Sequence, residues 1–314
     1  MTDFSNEIIL HNYPQSPVAE KARVVLGMKN VKWHSVEIPR IPPKPMLTLL
    51  TGGYRRTPVM QIGADIFCDS LCIINELDAR FASPPMYPQK DGALAWCLGR
   101  WADGDLFNKT VAIVLGSAGD ALPPDFAQDR GRLYFGPNWA QELQEAGNSL
   151  PHLAAQMRAN LQWLDQHFSD ERAFMMGDAP SAIDAQLYQI VWFLRGRWEQ
   201  GPAFLDTFTN LVLWENRVKA IGHGEKVEMS AEKAIEIAKA STPQQLSGIA
   251  ANEPQSLQVG TLVHVSPDVD GAEQPVEGNL VFADAQKIVI SRQEPQTGAM
   301  QIHFPRSGYE VKVV

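Results

Sequence analysis

The sequence predicts three successive domains: an α/β domain, an all-helical domain and a small all-β domain. A short apolar strand followed by a helix opens the chain at 8–26, prolines cluster at 82–88, and alternating β-branched runs begin after residue 258. Prolines interrupt regular elements, so 82–88 is predicted to be a linker. The predicted domains are 1–84, 89–240 and 259–314.

The segment 8–26 reads IILHNYPQSPVAEKARVVL, in which a strand leads through a polar turn to a helix opened by Ser16 and Pro17. Serine is a favoured N-cap, and proline suits the first helical position because its missing N–H is not needed there. Free N–H groups and the helix dipole favour an anion, such as a thiolate, beside Ser16. Two interpretations stay open: Ser16 only caps the helix, or it also stabilises a bound thiolate.

Residues 54–78 are predicted to form two strands joined by a tight turn and then a helix that begins at Asp69-Ser70. Leucine and isoleucine at helical spacing give that helix a buried side. Pro58 opens the first of these strands, where its missing N–H would cost a ladder hydrogen bond. We therefore expect Pro58 either at a sheet edge or after a cis peptide bond at a functional turn.

Three motifs in this order resemble the cytosolic glutathione transferases, whose N-terminal domain is thioredoxin-like and whose C-terminal domain is all-α. They are SPVAEKAR at 16–23, Thr57-Pro58-Val59, and Asp69-Ser70. Each motif alone is weak, but their order, spacing and strand or helix context agree, which is the confirmation that motif matches require. The resemblance covers about residues 7–220, since MGDAPSAID at 176–184 is similar to the turn that opens a buried helix in the family's second domain.

The resemblance implies a site for glutathione, with residues in named roles. Ser16 stands at the position of the catalytic serine or cysteine and would donate a hydrogen bond to the sulfur. Thr57, before the predicted cis Pro58, would bind the cysteinyl amide. Asp69 and Ser70 would hold the γ-glutamyl ammonium and carboxylate. Because a hydroxyl cannot form a mixed disulfide, serine at position 16 predicts thiol activation by hydrogen bonding.

Further side chains near these motifs are alternative candidates. Tyr13 precedes the helix by a few residues and is a rival hydroxyl for the same sulfur. Arg56, Arg55 and Lys44 are candidates to pair with the glycyl carboxylate of glutathione, and each can equally be interpreted as a solvated surface charge. A homodimer is expected from the resemblance alone.

The second domain is predicted to be a helical bundle. Ser181 and Asp184 have the spacing of a capping box, in which each side chain bonds the backbone N–H of the other, and we interpret Asp184 as structural. The predicted helices are 89–118, 138–168 with a break near 148–151, 181–196, 203–220 and 225–240.

The C-terminal segment departs from the family pattern. Its short alternating strands suit a small antiparallel barrel, for which an SH3-like barrel is one candidate. About 55 residues are close to the lower size limit for independent stability, so we expect this domain to dock on the rest of the chain. The predicted strands are Val259–Ser266, Val276–Ala283, Lys287–Arg292, Ala299–Pro305 and Tyr309–Val313.

Charge and residue composition limit the classes of partner, the location and the cofactors that we expect. A net charge of −9 argues against nucleic acid or an anionic membrane as general partners. The start MTDFSNEIIL has no signal-peptide pattern and no apolar run is long enough to span a membrane, so a cytoplasmic location is expected. The three cysteines, Cys68, Cys72 and Cys97, form no CxxC pair, and no Cys or His spacing suits a metal, so no metal is expected.

The sequence therefore predicts a glutathione S-transferase that activates glutathione for attack on an electrophilic, mostly apolar small molecule. Two alternatives remain. The chain could be a non-catalytic protein of the same fold that binds a ligand or partner. It could also use glutathione as a recycled cofactor in isomerisation or dehalogenation.

Overall fold

The computed structural model describes residues 6–269, 271 and 273–314. Residues 1–5, at which the sequence shows no signal-peptide pattern, lie outside the described residues. The strands of the described chain are β1 (Ile8–Asn12), β2 (Lys32–Glu37), β3 (Val59–Ile62), β4 (Asp65–Cys68), β5 (Glu225–Glu228), β6 (Gly248–Ile249), β7 (Leu262–Pro267), β8 (Val276–Ala283), β9 (Lys287–Glu294), β10 (Gly298–Pro305) and β11 (Tyr309–Val313).

The helices are mostly short, and a π-helical turn at Ala102–Leu106 joins two of them into one continuous path. They are α1 (Pro17–Met28), α2 (Pro45–Thr51), α3 (Ser70–Arg80), α4 (Gly92–Trp101), α5 (Phe107–Ala118), α6 (Pro124–Phe135), α7 (Trp139–Asn148), α8 (Leu150–His167), α9 (Ala182–Arg197), α10 (Gly201–Leu205), α11 (Thr209–Ile221) and α12 (Ala231–Ala240).

The chain divides into two compact units. The first contains the residues up to Ala19, Lys32–Glu76 and Glu225–Val314. The second contains Glu20–Val31 and Leu77–Gly224. The three-domain division at 1–84, 89–240 and 259–314 stays a prediction.

The first unit is built on one long sheet in the order β11-β7-β8-β9-β10-β4-β3-β1-β2-β5, with β6 paired to β8. Strand β1 runs parallel to β2 and antiparallel to β3, and β3 runs antiparallel to β4, as in a thioredoxin-like domain. The C-terminal strands β7 to β11 are antiparallel to one another. The thioredoxin-like fold and the all-β C-terminal region are therefore confirmed, and every predicted C-terminal strand is present.

The C-terminal strands share one apolar core with the N-terminal sheet. Ile9 of β1, Ile66 of β4, Leu50 of α2, Ile235 of α12 and Val265 of β7 are all buried in the same cluster. Parallel pairing of β10 with β4 aligns Ile302 with Ile66 across the junction. The C-terminal region is thus an integral part of the first unit.

Polar contacts fasten the same junction. His303 Nε2 of β10 donates to Asp65 Oδ1 of β4 over 2.8 Å, and both side chains are buried. The other oxygen of Asp65 accepts the backbone N–H of Gln244 at 2.9 Å. A buried carboxylate needs such donors, because leaving one without a partner costs several kcal/mol. Asp65 therefore ties β4 to strand β10 and to the segment that follows α12.

The second unit is helical, and Asp184 organises the start of its central helix α9. Ser181 donates to Asp184 Oδ2 from both its backbone N–H and its hydroxyl, each over 2.9 Å. Asp184 Oδ1 accepts the backbone N–H of Met175 at 2.8 Å and the indole N–H of Trp214 at 2.9 Å. These contacts support the structural interpretation of Asp184 and extend its role beyond a capping box.

The helix predicted at 225–240 is wrong in its first part. Residues Glu225–Glu228 form strand β5, which pairs in parallel with β2. Gly222 and Gly224 adopt positive φ and end the preceding helix, and a side chain at Gly224 would meet the Val31 carbonyl oxygen. The chain can therefore turn here and leave as a strand, which the helical pattern of the sequence alone does not reveal.

Two further differences concern the helical unit. The predicted helix at 203–220 is two helices, α10 and α11. Helix α6, Pro124–Phe135, was not predicted, although Pro123 and Pro124 place proline at its start, where it is favoured.

Among the described residues, no helix is both long enough and apolar enough to cross a membrane.

Replacing Asp184 by Asn is expected to lower the free energy of unfolding by about 2–4 kcal/mol. The amide replaces one carboxylate oxygen by an NH₂ group. The donors that this oxygen served, either those of Ser181 or those of Met175 and Trp214, are then buried without an acceptor. Urea unfolding measures the change. Asp178→Asn, at an exposed position nearby, is the control and is expected to change stability by about 0.5 kcal/mol or less. Equal losses in the two variants would contradict the role given to Asp184.

Candidate functional site

Strand register brings the three sequence motifs to one end of the first unit's sheet. His11 of β1 pairs with Val59 of β3, and Val59 pairs with Cys68 of β4. The residues that follow β1, precede β3 and follow β4 must therefore lie at the same end. These positions hold Ser16, the Thr57-Pro58 turn, and Asp69 with Ser70.

Ser16 is the buried cap of α1. Its Oγ accepts the backbone N–H of Ala19 at 3.1 Å, and its own N–H donates to the Tyr13 carbonyl at 3.2 Å. The hydroxyl thus uses its oxygen to cap the helix, as the Ser-Pro pair predicts. Among the described residues, none accepts the hydroxyl proton, so the proton can be donated to a ligand.

The turn before β3 is held by a buried lysine. Thr57 and Pro58 are joined by a cis peptide bond. Lys44, 5% exposed, donates to the Thr57 hydroxyl and to the Arg55 carbonyl, each over 2.9 Å. Its ammonium therefore orders the loop that carries Thr57, a task the sequence did not suggest for it.

Asp69 and Ser70 open helix α3. Asp69 adopts a positive φ of 77°, and its Oδ1 accepts the backbone N–H of Leu71 at 2.8 Å. Aspartate is among the few residues other than glycine that tolerate this region, because its side chain can bond to the local backbone. Asp69 is half-buried and Ser70 is buried. Both stand at a helix N-terminus, where a ligand carboxylate is favoured.

Arg56 is engaged by Glu273 of the C-terminal region. The guanidinium donates through Nε at 2.8 and 3.0 Å and through Nη2 at 2.5 Å to the two carboxylate oxygens. Burial alone would lower the pKa of Arg56, but the hydrogen bonds and charge of Glu273 outweigh it and raise the pKa. Since one carboxylate already neutralises Arg56, its attraction for a ligand carboxylate is reduced.

Tyr13 is placed differently from Ser16. Its ring is buried in the core of the first unit, and the Lys44 ammonium lies 5.9 Å from the ring centroid. The catalytic role of Tyr13 stays a prediction, as do the roles of the other site residues.

Sequence reasoning missed Glu273 and a second contact from the same region, made by Tyr309. The Tyr309 hydroxyl lies 3.1 Å from Asp69 Oδ2 and 3.1 Å from the Tyr54 hydroxyl. Arg56 and Glu273 are 217 residues apart in sequence, and Asp69 and Tyr309 are 240 residues apart. No local pattern signals a contact between residues so far apart in sequence.

Two cysteines lie close to this end of the sheet, Cys68 at the end of β4 and Cys72 in the first turn of α3. Burial raises the pKa of the Cys68 and Cys72 thiols, so both are held as unreactive thiols. Within the part of the chain that the structure describes, no cluster of three or more His, Cys, Asp or Glu side chains could hold a metal ion.

Comparison with known proteins identifies the family. The family model of the glutathione S-transferase N-terminal domain matches residues 10–85, and that of the C-terminal domain matches residues 137–217. A search of curated proteins found no match. The crystal structure of a GST-like protein from Pseudomonas syringae is 34% identical, with a TM-score of 0.82, and the match covers 98% of this chain and 100% of that one. The chain therefore belongs to the glutathione S-transferase family.

More distant structures share the fold alone. The tau class glutathione S-transferase MiGSTU from mango, Mangifera indica, is 18% identical with a TM-score of 0.52, over 74% of this chain and 98% of that one. The beta-etherase LigF from Sphingobium sp. strain SYK-6 is 13% identical with a TM-score of 0.53, over 68% of this chain and 95% of that one. By contrast, the Pseudomonas syringae match is long enough to include the C-terminal β region.

The cysteines give a direct test of the burial pattern. We expect a thiol-labelling reagent to modify Cys97 quickly in the native protein, because Cys97 is exposed while Cys68 and Cys72 are buried. All three should react after unfolding. Cys97→Ser should remove the native labelling, and fast labelling that persists in this variant would show that Cys68 or Cys72 is accessible.

The Arg56–Glu273 pair gives a second test. Glu273→Gln is expected to lower the free energy of unfolding by about 1–3 kcal/mol, because it removes charge-assisted hydrogen bonds from a carboxylate that is 6% exposed. Glu310→Gln is the control, since its carboxylate is 45% exposed and pairs with exposed Lys312. That change should cost about 0.5 kcal/mol or less in urea unfolding. Equal costs would mean that Glu273 is no more than a surface charge.

Proposed function

We propose that the protein binds glutathione and activates its thiol for attack on an electrophilic, mostly apolar small molecule. Family membership supports this function, because the family uses glutathione. The observation that carries the proposal is the buried Ser16 hydroxyl at the start of α1, whose oxygen caps the helix while its proton is left for a ligand.

The chemistry follows from this geometry. Glutathione loses its thiol proton to solvent, and Ser16 donates a hydrogen bond to the resulting thiolate. The N-terminus of α1 adds a favourable field for the negative sulfur. A hydrogen bond to a charged group contributes about 1.5–3 kcal/mol, which corresponds to a fall in thiol pKa of about one to two units. The thiolate then forms a carbon–sulfur bond with the electrophile, whose leaving group or π bond takes up the electron pair.

The other site residues have binding roles in this proposal. The backbone of Thr57 binds the cysteinyl amide beside cis Pro58. Asp69 binds the γ-glutamyl ammonium, and Ser70 with the start of α3 binds the γ-glutamyl carboxylate. Arg56 contributes little to binding of the glycyl carboxylate, because its guanidinium is already paired with Glu273. A homodimer, which the family suggests, and a cytoplasmic location both stay predictions.

The test compares wild type with Ser16→Ala by titration calorimetry with reduced glutathione, at about pH 6.5 and about pH 8, with proton release recorded. The wild type should bind and release protons, because the thiol pKa falls on binding. Ser16→Ala should release fewer protons at both pH values, with the larger difference at about pH 8, since the bound thiol regains an ordinary pKa of roughly 8.5–9.

Ser230→Ala is the matched control. Ser230 caps α12 and accepts the N–H of Lys233 at 3.1 Å, the same kind and length of bond that Ser16 makes. Both variants should lose about 1 kcal/mol of stability, but only Ser16→Ala should change proton release. Absence of glutathione binding by the wild type at millimolar concentration would overturn the proposal.

Turnover experiments decide how bound glutathione is used. If glutathione is consumed as an electrophile is converted, the protein is a transferase. Recovery of unchanged glutathione after turnover would favour the isomerase or dehalogenase alternative, and binding without any turnover would favour a non-catalytic protein.

A further inference from the structure

The C-terminal β region contacts the candidate glutathione site at Asp69. Tyr309, at the start of β11, lies with its hydroxyl 3.1 Å from Asp69 Oδ2. The ring is fixed by its neighbours, since it packs 5.6 Å from the ring of Phe304, centroid to centroid, and is 8% exposed. Neither family-model match extends to these residues, so the contact comes from a part of the chain outside the family's two domains.

The direction of the hydrogen bonds follows from the number of protons. The Tyr309 hydroxyl lies within 3.1 Å of both the Tyr54 hydroxyl and the Asp69 carboxylate. Each phenol has one proton, and a carboxylate only accepts. Tyr309 must therefore donate to Asp69, and Tyr54 donates to the oxygen of Tyr309.

These donors are permanent at neutral pH. Burial raises the pKa of both Tyr54 and Tyr309 well above the ordinary value, and the negative charge of Asp69 raises it further. Neither phenol therefore ionises, and the chain of donors toward Asp69 persists over the range in which the protein would work.

The donors orient Asp69 without cancelling its charge. Oδ1 accepts the N–H of Leu71 and Oδ2 accepts the hydroxyl of Tyr309, and both donors are neutral. A carboxylate has about four acceptor positions, so about two remain for a ligand. Arg56 differs, because its charge is already paired with that of Glu273. Asp69 is thus a fixed, half-buried carboxylate that can still bind a cation.

We propose that Tyr309 is a positioning residue of the glutathione site, which holds the Asp69 carboxylate in the orientation that binds the γ-glutamyl ammonium. This inference rests on the proposed function. It makes the C-terminal β region a working part of the ligand site rather than an appended domain, and it separates two tasks. Tyr309 governs affinity for the γ-glutamyl end, and Ser16 governs the state of the sulfur.

The test uses Tyr309→Phe, which removes one oxygen atom and keeps the ring that packs on Phe304. Titration calorimetry with reduced glutathione should show an affinity about three- to tenfold weaker than that of the wild type, the value of one net hydrogen bond. Proton release per bound glutathione should stay as in the wild type, because the sulfur end is untouched. A purely structural role would not separate affinity from proton release in this way.

A double-mutant cycle shows whether Tyr309 acts through Asp69. In an Asp69→Asn background, Tyr309→Phe should cause no further loss of affinity, because the carboxylate that it orients is gone. Tyr54→Phe is the matched control, since it removes a hydroxyl from the same buried cluster without touching Asp69, and its loss should be smaller than that of Tyr309→Phe.

The outcomes separate the two proposals. A wild type that does not bind glutathione overturns the proposed function and this inference with it. A wild type that binds, with Tyr309→Phe unchanged, overturns the inference alone. The inference is also overturned if Tyr309→Phe still weakens glutathione binding in the Asp69→Asn background. A loss of affinity in Tyr54→Phe as large as that in Tyr309→Phe overturns it as well, since either result indicates a general loosening of the aromatic cluster.

Discussion

The parallel pairing of β10 with β4 is the constraint on which the first unit depends. Without it, β4 would be the edge of the thioredoxin-like sheet and would expose a row of unpaired backbone groups. The pairing removes that edge and aligns Ile302 with Ile66 in a shared core. The buried contact between His303 and Asp65 adds a polar requirement that an apolar core alone would not impose. Register at this junction is therefore defined by shape and by hydrogen bonding together.

The same strand connects the junction to the candidate site. Strand β4 begins at Asp65, where the C-terminal region is fastened, and ends at Cys68, directly before Asp69. A displacement of β10 along β4 would move Tyr309 and Glu273 away from Asp69 and Arg56, because all four lie in one unit built on one continuous sheet. The extra region thus needs no separate binding surface to influence the site, since it extends the sheet that carries the site.

Local chemistry explains which features the sequence could predict. The cap at Ser16, the cis bond before Pro58 and the capping box of Ser181 and Asp184 depend on neighbours within a few residues, and the alternating pattern located the C-terminal strands. The bonds that Asp184 accepts from Met175 and Trp214 were not predicted, because they join residues farther apart in sequence. Strand β5 was missed because its residues have a helix-like composition. They form a strand because of tertiary pairing with β2. The contacts of Tyr309 and Glu273 were missed because they depend on how distant strands pair, and no pattern among their sequence neighbours reveals that pairing.

The candidate site combines these two kinds of determinant, and they control different properties. Ser16 and the start of α1 form a local arrangement, so the thiolate stabilisation that we propose depends on residues that are close together in sequence. Asp69 is held from one side by its own helix and from the other by Tyr309, so the orientation of its charge follows from the long-range fold. Neutral donors hold Asp69, so its negative charge remains available to a ligand's ammonium. The charge of Arg56 is neutralised by Glu273, so it attracts a ligand's carboxylate less strongly. Under the proposed function, binding of the two ends of glutathione thus depends on the C-terminal region, whereas the sulfur chemistry depends on Ser16.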